Sequence, residues 1–210
     1  MTSTDKSPER LVFFSDAVVA IALTLLILPL TDVVGQFDAA HKSSIEVITE
    51  NQWLVYGFLL SFVVILRQWI AHHRLYAQVK AYTMPLLWVN MAWVLSIAII
   101  PFPTQMVAKF SGHDRFTLLF YVGTLFVGSV LLSAMMLIVR ADRDVAKSAD
   151  AISDRWRFTS LATTAGLGIA VLLVGVFPQL SYYPLLLIAV APWVARLRYR
   201  KETKPTPEPA

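Results

Sequence analysis

Several side chains in this sequence are poorly matched to the apolar stretches around them. Arg10, Ser15 and Asp16 stand at the mouth of an apolar run over residues 17–30. His72 and His73 close a second run, and Asn90 lies inside a third. Ionisable and amide groups in such segments are costly unless they are paired, so they mark either a brace between helices or a path for ions. The chemistry open to this set is hydrogen bonding, attraction of cations and exchange of protons. Metal binding fits poorly. Adjacent histidines point apart on a helix, there is no cysteine, and no third ligand clusters with them. No phosphate-binding loop, nucleophile elbow or dinucleotide fingerprint is present, so neither a cofactor nor an enzyme is expected.

The elements that must position these groups follow from composition. The chain has 210 residues, 57% apolar and 15% charged, against about 25% charged in soluble domains. Its mean hydropathy is +0.61. An all-α membrane protein is predicted. A bilayer core about 30 Å thick takes about 20 residues of helix, and six segments qualify, at 11–34, 53–74, 84–108, 116–140, 158–177 and 182–198. Residues 1–200 read as one six-helix domain without internal repeats, and the proline-rich 201–210 as a disordered tail. Lys6 and Arg10 ahead of an apolar run imitate a signal peptide. Asp16 within the run, and Asp32 and Asp38 where a cleavage site belongs, favour a retained helix.

With the N-terminus in the cytoplasm, 15 lysines and arginines fall on the inner side and 3 on the outer. That asymmetry predicts a multi-pass protein of the cell membrane with both termini cytoplasmic. It also accounts for the net charge of +4 without a nucleic-acid partner. Arg67 sits about two turns from the inner end of its span, close enough to snorkel. Residues 140–157, with acids and bases interleaved, read as a solvated connector.

On the first helix, Ala17, Ile21, Leu25, Leu28 and Asp32 form one stripe at 100° per residue, flanked by Thr24 and Thr31. Such a stripe is most simply packing or lipid contact. The alternative is a wall: copies of Ile21 and Leu25 around an axis would form an apolar ring that gates by dewetting. Thr24 would offer hydroxyl oxygens and a ring of Asp32 would gather cations. Pro29, opposed to the carbonyl of Leu25, predicts a kink. Asp16 lies off this stripe. It is expected to accept a hydrogen bond from His72, His73 or Trp69, with Asn90 also within reach. Such a bond would brace the helix; a proton relay through Asp16 and His72 is the other reading. The aromatics Trp88 and Trp93 read as packing or lipid-facing.

The segment Arg10-x-x-x-Phe14-Ser15-Asp16, with the run that follows to Leu25, resembles the signature helix of the transmembrane protein 175 channels. These are the endosomal/lysosomal potassium channel family and its bacterial relatives. Trp69-Ile70-Ala71-His72-His73, Asn90 and Pro101-Phe102-Pro103-Thr104 are similar to stretches of the same family. The resemblance implies six helices per subunit, a homotetramer in the bilayer and a pore surrounded by the first helices. It implies a constriction at Ile21, Leu25 and Leu28, with Thr24, Thr31 and Asp32 facing the ions. A structural network of Arg10, Phe14, Ser15, Asp16, Trp69, His72, His73 and Asn90 would stand behind them. Potassium would be the permeant ion, passing passively. Ala20 occupies a position where some relatives carry serine, which implies weak to moderate preference for potassium over sodium. No T-V-G-Y-G filter exists here. A secondary transporter coupled to protons through Asp16 and His72 or His73 is the alternative.

Overall fold

The structure is a computed structural model that describes residues 7–36, 43–110, 114–148 and 152–177. Among them are eight helices: α1 (Glu9–Leu25), α2 (Leu28–Gln36), α3 (Ser44–Glu50), α4 (Gln52–Tyr76), α5 (Met84–Ile99), α6 (Pro101–Lys109), α7 (Arg115–Ala141) and α8 (Asp154–Val176). The only β pairing there is an isolated antiparallel bridge between Val79 and Ala146. Five stretches are long and apolar enough to cross a bilayer: Glu9–Gly35, Gln52–Tyr76, Met84–Lys109, Arg115–Ala141 and Asp154–Val176. These coincide with the first five predicted spans to within a few residues. The sixth, 182–198, and the tail lie outside the described residues.

Proline divides two of the spans. In the first, the ladder breaks at Leu26 and Ile27, just ahead of Pro29. Pro29 has no amide hydrogen, so the Leu25 carbonyl loses its helical donor. The backbone tightens there, with Ile27 donating to the Thr24 carbonyl (3.3 Å) and Leu30 to that of Ile27 (3.0 Å). The third span breaks in the same way at Ile100, before Pro101 and Pro103, separating α5 from α6. The segment 35–52, which lies between the first two predicted spans, contains α3. Its start is a capping box, in which Glu46 reaches back to the Ser43 amide at 3.3 Å.

The core lies where α1, α4, α5 and α7 meet. Trp93, Ile65, Leu86, Ile97, Leu118, Leu125 and Met135 are fully buried. Helices α7 and α8 are joined by hydroxyls: Ser129 and Ser133 lie 2.7 and 2.9 Å from the Thr164 hydroxyl, and Ser133 lies 3.1 Å from that of Ser160. Small polar residues let helices approach closely in lipid, where apolar surface gives no drive to associate. The connector after α7 is held to the bundle rather than merely solvated. Arg140 binds Asp154 at 3.1 Å and the Ile152 carbonyl at 3.2 Å.

The tightest approach is at Gly128 on α7. A Cβ there would lie 2.7 Å from Gln68 Oε1, 3.1 Å from Gln68 Nε2 and 3.1 Å from Ser96 Oγ. Gln68 is buried and receives the Trp93 indole N–H, so it has little room to yield. Gly128→Ala is expected to cost about 1–3 kcal/mol through overpacking, despite the better helix propensity of alanine. Thermal unfolding of the purified protein checks this, with Gly123→Ala, where a Cβ meets nothing within 4 Å, as the neutral comparison.

Candidate pore helix and the polar network behind it

The first helix has two faces with different surroundings. Leu11, Ser15, Val19, Ala22 and Leu26 are buried against α4 and α5. On the other side Ile21, Leu25 and Leu28 are 57, 40 and 49% exposed, and Ala17, Thr24, Thr31 and Asp32 are exposed with them. The stripe continues across the break before Pro29, since Leu28, Thr31 and Asp32 are exposed on α2 as Ile21, Thr24 and Leu25 are on α1.

The threonines on this face are already committed as donors. The Thr24 hydroxyl donates to the Ile21 carbonyl at 2.8 Å, and that of Thr31 to the Leu28 carbonyl at 2.7 Å. Each hydroxyl proton is used on the backbone, which leaves the oxygen lone pairs as the outward feature. Such oxygens can accept from water or coordinate a cation. They sit beside Ile21 and Leu28, so polar oxygen alternates with apolar bulk along the wall.

Behind the wall, α4 and α5 hold the inner face through a chain of directed hydrogen bonds. Ser15 is fully buried and donates to the Leu11 carbonyl at 2.9 Å. Its oxygen accepts from Asn90 Nδ2 at 2.9 Å. The Asn90 carbonyl therefore faces His72, whose Nε2 lies 2.7 Å away and must carry the proton. The bonds run one way, from His72 through Asn90 and Ser15 to the backbone of α1, and such chains polarise in series. The His72 ring stacks on Trp93 (centroids 4.1 Å apart, 7° between planes) and lies 4.5 Å from the Tyr76 ring. Its Nδ1 has no partner among the described residues.

A second arm holds the edge of the same helix. Trp69 Nε1 donates to half-buried Asp16 at 2.8 Å, and the Trp69 ring lies 5.4 Å from that of His73. Of the donors considered for Asp16, the indole is the one the structure brings to it. His72 bonds Asn90 instead, so the carboxylate and the buried imidazole stand on separate arms. Arg10 and Phe14 are not brought into either arm. Arg10 is exposed, and Phe14 is 51% exposed because seven residues bring it almost back into line with Ile21. Trp88 lies on the exposed side of α5, as a lipid-facing aromatic would.

Two polar groupings escaped the sequence reading. Gln68 is one turn before His72 on the buried face of α4, and it accepts from Trp93 Nε1 at 3.3 Å. Ser61 Oγ lies 2.8 Å from Thr104 Oγ1 and 3.0 Å from the Tyr121 hydroxyl, tying α4 to α6 and α7. The signal for both was the spacing of Ser61, Ile65, Gln68 and His72 along one stripe of α4.

The family model described as endosomal/lysosomal potassium channel TMEM175 matches residues 10–101, the stretch that carries α1, both arms of the network and Pro101. A potassium channel of Chamaesiphon minutus is 30% identical over 158 residues, covering 71% of this chain and 77% of that relative. A potassium channel of Streptomyces collinus is 34% identical over 111 residues, half of each chain. The endosomal/lysosomal proton channel TMEM175 of Danio rerio is 29% identical over 136 residues, or 65% of this chain and 25% of the relative. The chain thus spans no more than half the length of these last two. The crystal structure of a lysosomal potassium-selective channel TMEM175 homolog from Chamaesiphon minutus has the same fold, with a TM-score of 0.66 at 24% identity over 90% of this chain and 96% of that one.

Proposed function

The chain belongs to the TMEM175 family, and on that premise we propose that it is a potassium-permeable cation channel, passive and without enzymatic activity or cofactor. Six helices per subunit assemble as a homotetramer in the cell membrane, with both termini cytoplasmic. Helices α1 and α2 of each subunit surround a central pore. Ile21, Leu25 and Leu28 form its constriction, Thr24 and Thr31 offer oxygens to the ion, and Asp32 gathers cations at the outer mouth. Preference for potassium over sodium is weak to moderate, since no carbonyl cage strips and replaces a hydration shell.

One observation carries this reading. The face of the first span that bears Ile21 and Leu25 on α1 and Leu28 on α2 is exposed, while the opposite face of α1 is fixed by a one-way hydrogen-bond chain ending on its own backbone. A helix lying against lipid has no need of such fixing, whereas a constriction works only if its radius is held. Ser15, Asp16, Trp69, His72 and Asn90 act as the brace, with His73 beside Trp69 and Arg10 at the cytoplasmic mouth. Phe14 extends the wall inward.

Purified full-length protein in potassium-loaded liposomes is expected to set a membrane voltage that follows the potassium gradient at equal pH on both sides. Potassium movement only when a proton gradient is imposed would replace this reading with proton-coupled transport through Asp16 and His72 or His73.

A further inference from the structure

A pocket of about 380 Å³ opens beneath the foot of α1, away from Ile21, Leu25 and Leu28 and next to the end of α4 that carries His73 and Tyr76. Its walls are largely apolar and aromatic, from Val12 and Phe13 on α1 and Tyr76 at the end of α4. Lys80 and Lys147 stand at it, with His73 on the α4 side and Glu9 opposing them from the first turn of α1. The two lysines come from loops far apart in sequence. They meet because Lys80 donates its amide to the Val145 carbonyl and Lys147 donates its amide to the Gln78 carbonyl, both at 2.9 Å, flanking the bridge of Val79 with Ala146. Backbone bonds hold the pair, and neither ammonium group bonds another side chain among the described residues; both side chains are exposed.

The pocket's place in the bundle says what that partner is. This end carries Arg10, Arg74, Lys80, Arg140, Arg143 and Lys147, whereas the opposite end carries Lys109 and Arg115 among the described residues. It is the basic face of a membrane protein, at the level where headgroups lie. Basic pockets between helices on this side suit phosphate-bearing lipid heads, with the charge met by lysine and the glycerol and first methylenes by apolar wall. A free inorganic phosphate would use the lysines but waste Val12, Phe13 and Tyr76.

We propose that this pocket binds the phosphate of an anionic phospholipid, gripped by Lys80 and Lys147 at the base of α1. Occupancy would load the first turns of that helix directly, through Val12 and Phe13. Binding needs only the folded chain, so it stands or falls separately from conduction.

Thermal-shift titrations of the full-length protein test this with dioctanoyl phosphatidylglycerol, dioctanoyl phosphatidylcholine and sodium pyrophosphate. The wild type is expected to be stabilised by the phosphatidylglycerol well beyond the phosphatidylcholine, less so in high salt. Lys80→Gln with Lys147→Gln should weaken that response on the order of tenfold or more, at about one kcal/mol for each lysine near a headgroup. Glu9→Gln should strengthen it, and Lys109→Gln, at the other end, should leave it unchanged. Stabilisation by pyrophosphate that the lysine variants also lose would support the phosphate site with a soluble source. Equal response to both lipids, or an undiminished response in the double lysine variant, overturns it.

Discussion

Replacing Leu25 with Asn, and in a second variant Ile21 with Asn, is expected to raise potassium flux into liposomes by about tenfold, the effect of lowering a barrier by about 1.4 kcal/mol. The argument rests on size and polarity separately. Asparagine shares the length and branching of leucine, though it is smaller, so a ring of asparagines would be wider by far less than a ring of alanines. It would, however, hold water through an amide donor and acceptor in each subunit, and an apolar ring restrains ions by expelling water. Both positions are 40% exposed or more in the protomer, so removing the apolar group forfeits little of the packed core. The unfolding temperature should therefore stay close to wild type while flux rises and discrimination between potassium and sodium falls. Leu25→Ala separates the two terms, since it widens the ring but leaves it apolar. If flux and selectivity stay at wild-type values in both asparagine variants, the constriction lies elsewhere and the stripe is a lipid or subunit contact.

The spans of this molecule were legible because hydropathy alone dictates them: five predicted segments meet five apolar helices with only their ends displaced. The two faces of α1 were legible for the same geometric reason, since 100° per residue puts Ile21 and Asp16 on different sides whatever surrounds them. Which polar groups would meet was much less so. Asp16 had several candidate donors at similar depth, and only the packing of α1 against α4 selects Trp69. Gln68 and Trp93 each looked like ordinary residues of their own helix, and their pairing depends on how α4 and α5 are rotated against each other. Phe14 sits within the signature beside Ser15, but adjacency in sequence is a 100° turn on the helix, which separates wall from brace. Helix α3 was overlooked for a different reason. Its Ser43 to Glu46 capping box was present in the sequence, but a polar stretch between two spans reads as a linker when hydropathy is the only guide.

The second large effect is expected at Asn90. It is fully buried and bonds both α4 and α1, accepting from His72 Nε2 and donating to Ser15 Oγ. Asn90→Ala removes both bonds at once. A hydrogen bond between transmembrane helices is worth only about 0.6 kcal/mol on average, so the bonds themselves are the smaller part. The larger part is what remains. His72 already has no partner for Nδ1, and without Asn90 its Nε2–H is orphaned too, leaving a whole imidazole buried and unsatisfied against Trp93. With the cavity added, a loss of about 2–4 kcal/mol is expected. Ser15→Ala removes the acceptor of Asn90 Nδ2 and should cost less, about 1 kcal/mol. Because the two changes share a bond, the double variant should lose less than their sum. Unfolding temperatures of the four proteins measure the cycle, with Trp88→Ala on the exposed side of α5 as the comparison. The brace has a second consequence that packing alone would not produce. Once α1 is no longer fixed from behind, Asn90→Ala should also alter flux below its unfolding temperature, although Asn90 is fully buried in the protomer and bonded on the inner face of α1, away from the wall. A variant that unfolds earlier yet conducts like wild type would confine Asn90 to stability and detach the network from the pore.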